Sequence, residues 1–128
     1  MKNFSGHIIF SDKFQWKELE QPFPEIWEIV SNQTKQNSEE LQLYQLDLYL
    51  NLEEIRKNKK PFGYIREGAR YRMTFPIDRK EMILFRGVVT EDLKDVVDKV
   101  SKVLRDSKIK FSVDYDKMLL YKIRSRKK

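Results

Sequence analysis

Apolar residues recur at Leu93, Val96, Val97, Val100, Val103 and Leu104, the i, i+3, i+4 spacing of a helix that lays one face on a sheet. Thr90 stands where an N-cap would, with Glu91 and Asp92 in the first turn, so the pattern predicts a helix over 90–107. Gly6 to Ser11 reads as a short strand. Pro22 and Pro24 break the chain, and Glu25-Ile26-Trp27-Glu28-Ile29-Val30 follows as a short amphipathic helix with Pro24 near its first turn. The polar run from Ser31 to Ser38 reads as a loop.

Residues 39–57 carry two periods at once. Asn37 followed by Glu40, early acids and a basic end at Arg56, Lys57, Lys59 and Lys60 favour a helix. Leu46, Leu48, Leu50 and Leu52, however, alternate with Asp47, Tyr49 and Asn51. A helix would be apolar on two sides, with Leu43, Leu46 and Leu50 opposite Leu41, Leu48 and Leu52, whereas a strand separates the two sets. The alternation predicts a strand over 41–52 and a turn of helix from Leu52 to Asn58. Either way the stretch has more apolar surface than one small sheet covers, which suggests a homodimer.

Phe62 to Arg66 and Ala69 to Phe75 flank Glu67-Gly68, a plausible hairpin turn, and a charged tip at Asp78-Arg79-Lys80 leads into a strand over 82–89. With a three-residue tip, Arg72 pairs Arg86. One face of this meander, 62–89, then carries Tyr64, Tyr71, Met73, Phe75, Ile83 and Phe85, and the other Arg70, Arg72 and Arg86. One residue more in the loop of either hairpin flips the register and scatters the arginines. A C-terminal hairpin over 109–123, turning at Tyr115-Asp116-Lys117, pairs Val113 with Leu119, Phe111 with Tyr121 and Ile109 with Ile123. The expectation is an α+β fold: an antiparallel sheet of five or six strands with the helix 90–107 packed on it and a short N-terminal helix. One domain spans 1–123 and a basic tail 124–128, since 128 residues divide poorly into two stable cores.

Charge sharpens this picture. The net charge is +6, but residues 1–54 hold four Lys and ten acids, a net −6, while residues 55–128 hold 22 Lys and Arg against ten acids, a net +12. Such a split suggests an anionic partner for one half, or mutual neutralisation of the two halves within one fold or across a dimer. Arginines opposite one another on a sheet repel, and they make sense where something anionic lies across them. The candidate phosphate contacts are Arg70, Arg72 and Arg86 on the sheet and Lys59, Lys60, Arg79 and Lys80 around it. Arg124, Arg126, Lys127 and Lys128 form a mobile basic arm.

Catalysis finds little footing. With no cysteine and one histidine, His7, thiolate chemistry and histidine-based metal sites are excluded, and a lone histidine beside a strand reads as structural or exposed. Pro76-Ile77-Asp78 followed by Asp92-Leu93-Lys94 loosely imitates the PD-(D/E)xK nuclease pattern, but the second element falls in the first turn of the helix 90–107, where the helix dipole explains Asp92. The four glycines are never clustered, so no phosphate loop forms. No cofactor or metal is expected. The apolar run Ile8 to Phe10 is too short for a signal peptide or membrane span, giving the expectation of a soluble, cytoplasmic protein. The function expected is non-enzymatic binding of nucleic acid, single-stranded or sequence-tolerant, through backbone phosphates. The alternatives are a protein-interaction module of inhibitor or immunity type and, further off, a carboxylate nuclease.

Overall fold

The computed structural model describes residues 4–31, 38–66, 69–86 and 93–116. Four strands, β1 (Ser5–Phe10), β2 (Tyr71–Thr74), β3 (Glu81–Arg86) and β4 (Phe111–Tyr115), form one antiparallel sheet in the order β2-β3-β1-β4. Three helices accompany it: α1 (Phe23–Ser31), α2 (Ser38–Arg56) and α3 (Leu93–Asp106), with a single 3-10 turn at Trp16–Leu19. The α+β class stands, and among the described residues the sheet has four strands, not the five or six expected.

α3 follows its sequence pattern. Leu93, Val96, Val97, Val100, Val103 and Leu104 are all buried, and Lys94, Asp95, Asp98, Lys99 and Lys102 face water. The helix lies so close over β1 that a Cβ on Gly6 would sit 2.5 Å from Val97 Cγ2, so a side chain there would displace Val97. Strand alternation places Gly6, Ile8, Phe10, Tyr71, Met73, Met82 and Leu84 on this helix-covered face. At the other end of the sheet, Phe10 and Phe14 stack at 4.1 Å between ring centres, and Trp16 packs edge-on against Phe10, Phe14 and Phe75.

Three expectations are corrected. Residues 41–52 belong to helix α2, not to a strand. From Ser38 to Glu54 the helix has no β-branched residue and is rich in Leu, Gln and Glu, so backbone propensity decides where the hydrophobic pattern was ambiguous. Asn58, in the left-handed region at φ 58°, then closes α2, with Lys59 N–H donating to the Glu54 carbonyl.

The meander loses its first strand. Tyr64 makes one isolated bridge with Met73, through two 2.8 Å hydrogen bonds, instead of pairing Tyr71. Gly63 at φ 98° turns the chain there, and a side chain at that position would strike the Met73 carbonyl. The β2–β3 register is also displaced by one residue, because the connection is one residue longer than a three-residue tip allows. Tyr71 pairs Arg86, Arg72 pairs Phe85 and Thr74 pairs Ile83. Arg72 and Arg86 therefore fall on opposite faces of the sheet.

β4 pairs with β1, from Gly6 with Tyr115 to Phe10 with Phe111. Asp116, at φ 58°, ends it, its Oδ1 accepting from the backbone N–H groups of Phe4 at 2.7 Å and Ser5 at 3.1 Å. The expected turn at Glu67-Gly68, cap at Thr90, return strand through Leu119, Tyr121 and Ile123, and tail 124–128 lie outside the described residues.

Val100 is fully buried and Lys99 is exposed on the same turn of α3. Val100→Asp should leave the domain unfolded at 25 °C, since a carboxylate would be buried without a partner. Lys99→Asp should change stability by no more than about 0.5 kcal/mol. Urea denaturation followed by circular dichroism compares the two.

Candidate interaction surface

The proposed phosphate contacts are not gathered in one place. Arg72 lies half-buried on the face away from the helices, with its Nε lacking a hydrogen-bond partner, while Arg86 is on the helix-covered side. Arg70 and Lys59 are exposed. Three more are engaged locally: Lys60 Nζ donates to the Phe75 carbonyl at 3.1 Å and Lys80 Nζ to the Asp12 carbonyl at 2.7 Å. Arg79 lies between Asp78, at 3.5 Å, and Glu81, at 3.8 Å. Arg124, Arg126, Lys127 and Lys128 fall outside the described residues.

α2 presents a different surface. At 100° per residue, Tyr44, Leu48, Asn51 and Ile55 share the side that meets the core, and Leu43, Leu46 and Leu50 lie about 140° away from it. Tyr44 and Leu48 are half-buried against the core and Ile55 is fully buried. Leu43, Leu46 and Leu50 are exposed by 54%, 51% and 43%. Single exposed leucines are ordinary, but three on one helix face are a stripe. It is extended by Phe62 and Ile65 in the following loop, exposed by 62% and 65%, Leu50 lining a shared cleft with both.

Several contacts hold α2 in this rotation. Trp27 of α1 packs against Tyr44, with ring centres 6.0 Å apart. Arg56 bonds Glu20 at 3.1 Å and Glu53 at 3.0 Å, and these carboxylates raise its pKa. Asn58 Oδ1 accepts from the Lys17 backbone N–H. The loop beyond the helix is fastened by Asn51, whose buried amide accepts from Gly63 N–H at 2.8 Å and donates to the carbonyls of Asp47, at 2.8 Å, and Gly63, at 3.4 Å.

Between helix and loop this leaves a cleft of about 350 Å³ lined by Trp27, Asp47, Leu50, Asn51, Phe62, Gly63, Tyr64 and Ile65. Trp27 and Tyr64 pack edge to face at 5.0 Å. Their polar atoms, Trp27 Nε1 and Tyr64 Oη, are two of the four buried side-chain atoms without a hydrogen-bond partner among the described residues; Arg72 Nε and Ser101 Oγ are the others. Asp47 is the one charged lining residue described.

A second polar constellation lies on the sheet face away from the helices. Glu81 Oε2 is 2.7 Å from His7 Nδ1, and His7 Nε2 is 3.0 Å from Ser5 Oγ. With Glu81 as acceptor, Nδ1 donates, and Nε2 accepts from the serine hydroxyl. The order serine, histidine, carboxylate is that of a hydrolase triad, but Ser5 and His7 are both 0% exposed, so the hydroxyl has no access to a substrate. The arrangement satisfies polar groups enclosed within the fold. His7 is thus structural, one of the two readings its position in the sequence suggested; its partner 74 residues away left no signal in the pattern. Among the described residues no group of three or more His, Cys, Asp or Glu side chains could hold a metal ion, and no helix is long and apolar enough to cross a membrane.

Glu81→Leu should destabilise the domain by about 1–3 kcal/mol, because it leaves the buried Nδ1–H of His7 without its carboxylate acceptor. Adding His7→Phe should restore much of that loss. A double-mutant cycle by chemical denaturation measures the coupling.

Compared with known proteins, the chain matches no family model, no curated protein and no solved structure.

Proposed function

We propose that this chain is a non-catalytic protein-interaction domain that binds through the outer face of α2. The observation that supports the reading is the stripe Leu43, Leu46 and Leu50, continued by Phe62 and Ile65 and held in place while exposed. An apolar surface of this kind gains free energy when a partner removes it from water, at roughly 25 cal/mol per Å². Self-association through the same face is one form the interaction can take.

Leu46→Glu should leave the melting temperature almost unchanged, because the side chain is half in water already. The same change should abolish association. Sedimentation velocity over a concentration series and selection from a displayed peptide library measure the two forms of binding. A wild-type domain that stays monomeric and selects no peptide would overturn the reading.

Nucleic-acid binding is the second reading, favoured by the net +12 of residues 55–128 and by the exposure of Lys59 and Arg70. Without the arginine face, it rests on dispersed phosphate contacts and on the tail. Deleting residues 124–128 should weaken oligonucleotide binding and make log K less steep against log salt, by roughly 0.7 per lost contact for single strands or 0.9 for duplex. Fluorescence anisotropy at several salt concentrations tests this, and unchanged slopes would remove the tail from any such site.

A further inference from the structure

Building on the α2 reading, we propose that the cleft between α2 and the loop at Phe62–Ile65 takes a short peptide segment that is both apolar and basic. Each part of that description comes from a different lining residue. Leu50, Phe62 and Ile65 offer exposed apolar walls for aliphatic or aromatic side chains. Asp47 is exposed and is the one charge described in the lining, so it favours a lysine or arginine and disfavours an acid. Glu53 and Glu54 continue the acidic character along the helix; of the cations that follow, Arg56 is engaged by Glu20 and Glu53 and Lys60 by the Phe75 carbonyl, while Lys57, Lys59 and Arg66 stand outside the described lining.

The third requirement is a hydrogen-bond acceptor. Trp27 and Tyr64 are 1% and 3% exposed, both line the cleft, and the indole N–H and phenol O–H lack partners. Buried donors without acceptors are uncommon in native proteins and carry a cost that a ligand relieves. A peptide supplies a backbone carbonyl at every residue, so an apolar, basic segment meets all three requirements at once. Both donors are enclosed in the free domain, so the cleft widens to admit the carbonyl, while Asn51 keeps the backbone of Gly63 fixed at 2.8 Å and limits the ordering that binding must add. A second copy of α2 is a poorer occupant. Asp47 and Glu54 lie seven residues apart on one flank of the stripe, and two-fold antiparallel pairing sets that acidic flank against itself.

The test uses the full chain and three short synthetic peptides with the same leucine pattern, carrying lysine, glutamate or serine at the intervening positions. Trp16→Phe makes Trp27 the sole tryptophan, so a change in its fluorescence reports occupancy at the cleft. The leucine–lysine peptide should bind at least tenfold more tightly than the leucine–glutamate peptide at low salt, with the leucine–serine peptide between them. Asp47→Asn should reduce the preference for lysine several-fold without altering the melting temperature or the affinity for the serine peptide. Phe62→Ser should weaken all three. Equal affinity for the lysine and glutamate peptides, or a lysine preference that survives Asp47→Asn, overturns the proposed ligand. If no peptide binds but the chain self-associates through Leu46, the ligand assignment falls while α2 remains an interaction face. If neither occurs, both fall.

Discussion

α2 cannot bury all of its leucines. The side that carries Tyr44, Leu48, Asn51 and Ile55 completes the core against Trp27 and fixes the loop at Gly63, so that side must face inward. Leu43, Leu46 and Leu50, about 140° round the helix, are then committed to solvent. Rotating α2 to shelter them would strand Asn51 away from Gly63 and expose Ile55, which is wholly buried. A domain of this size has no second layer of core to cover the outer stripe, which is why the proposed function places a partner there. Exposure here is a geometric consequence of which side the core claims.

The cleft follows from the same rotation. Asn51 reaches the loop only because it occupies the inner side of α2, and its three hydrogen bonds join helix backbone to loop backbone. Gly63 accepts the resulting conformation because it lacks a side chain that would meet the Met73 carbonyl. Tyr64 is then delivered to Met73 as a single bridge, and Phe62, two positions before it, and Ile65, one after, are directed to water. One amide thus connects three things: the end of the sheet, the loop and the exposed rim.

Much of the fold was legible in the sequence wherever one period dominated. The α3 stripe is buried at each of its six expected positions between Leu93 and Leu104, and β1, α1 and the first strand of the C-terminal pair lay close to their expected places. The pattern failed where two periods coexisted. In 41–52 the alternating leucines suit a strand, and only the lack of β-branched residues argued for the helix. The sheet register failed for a different reason: side chains repeat every two residues, so one added residue in the Ile77–Lys80 connection moved Arg72 and Arg86 to opposite faces. Tyr64, Tyr71 and Met73 still share a face as expected, because the first connection differs by an even number of residues. The cleft was the least legible part. It depends on Trp27, Asn51 and Tyr64 meeting across the fold, and the surplus of apolar surface in 41–52 was the one trace of it in the chain.

Polar and apolar residues break the usual division in both directions, and the two departures differ in one respect. On the far face of the sheet Ser5, His7 and Glu81 are buried polar side chains, and the hydrogen bonds at 3.0 and 2.7 Å bind them to one another. Glu81 also meets Arg79 at 3.8 Å, so the group is satisfied within the fold and its burial costs little. At the α2 cleft the balance is reversed: apolar side chains stand in water while Trp27 Nε1 and Tyr64 Oη lie buried without acceptors. Stability alone would favour correcting either fault by substitution, since a phenylalanine in place of Tyr64 would remove an orphan hydroxyl at no cost in volume. Keeping both faults at one place is economical if the same partner relieves them together, covering the leucines and accepting the donors. The far face of the sheet completes itself, whereas under the proposed interaction the cleft is completed from outside.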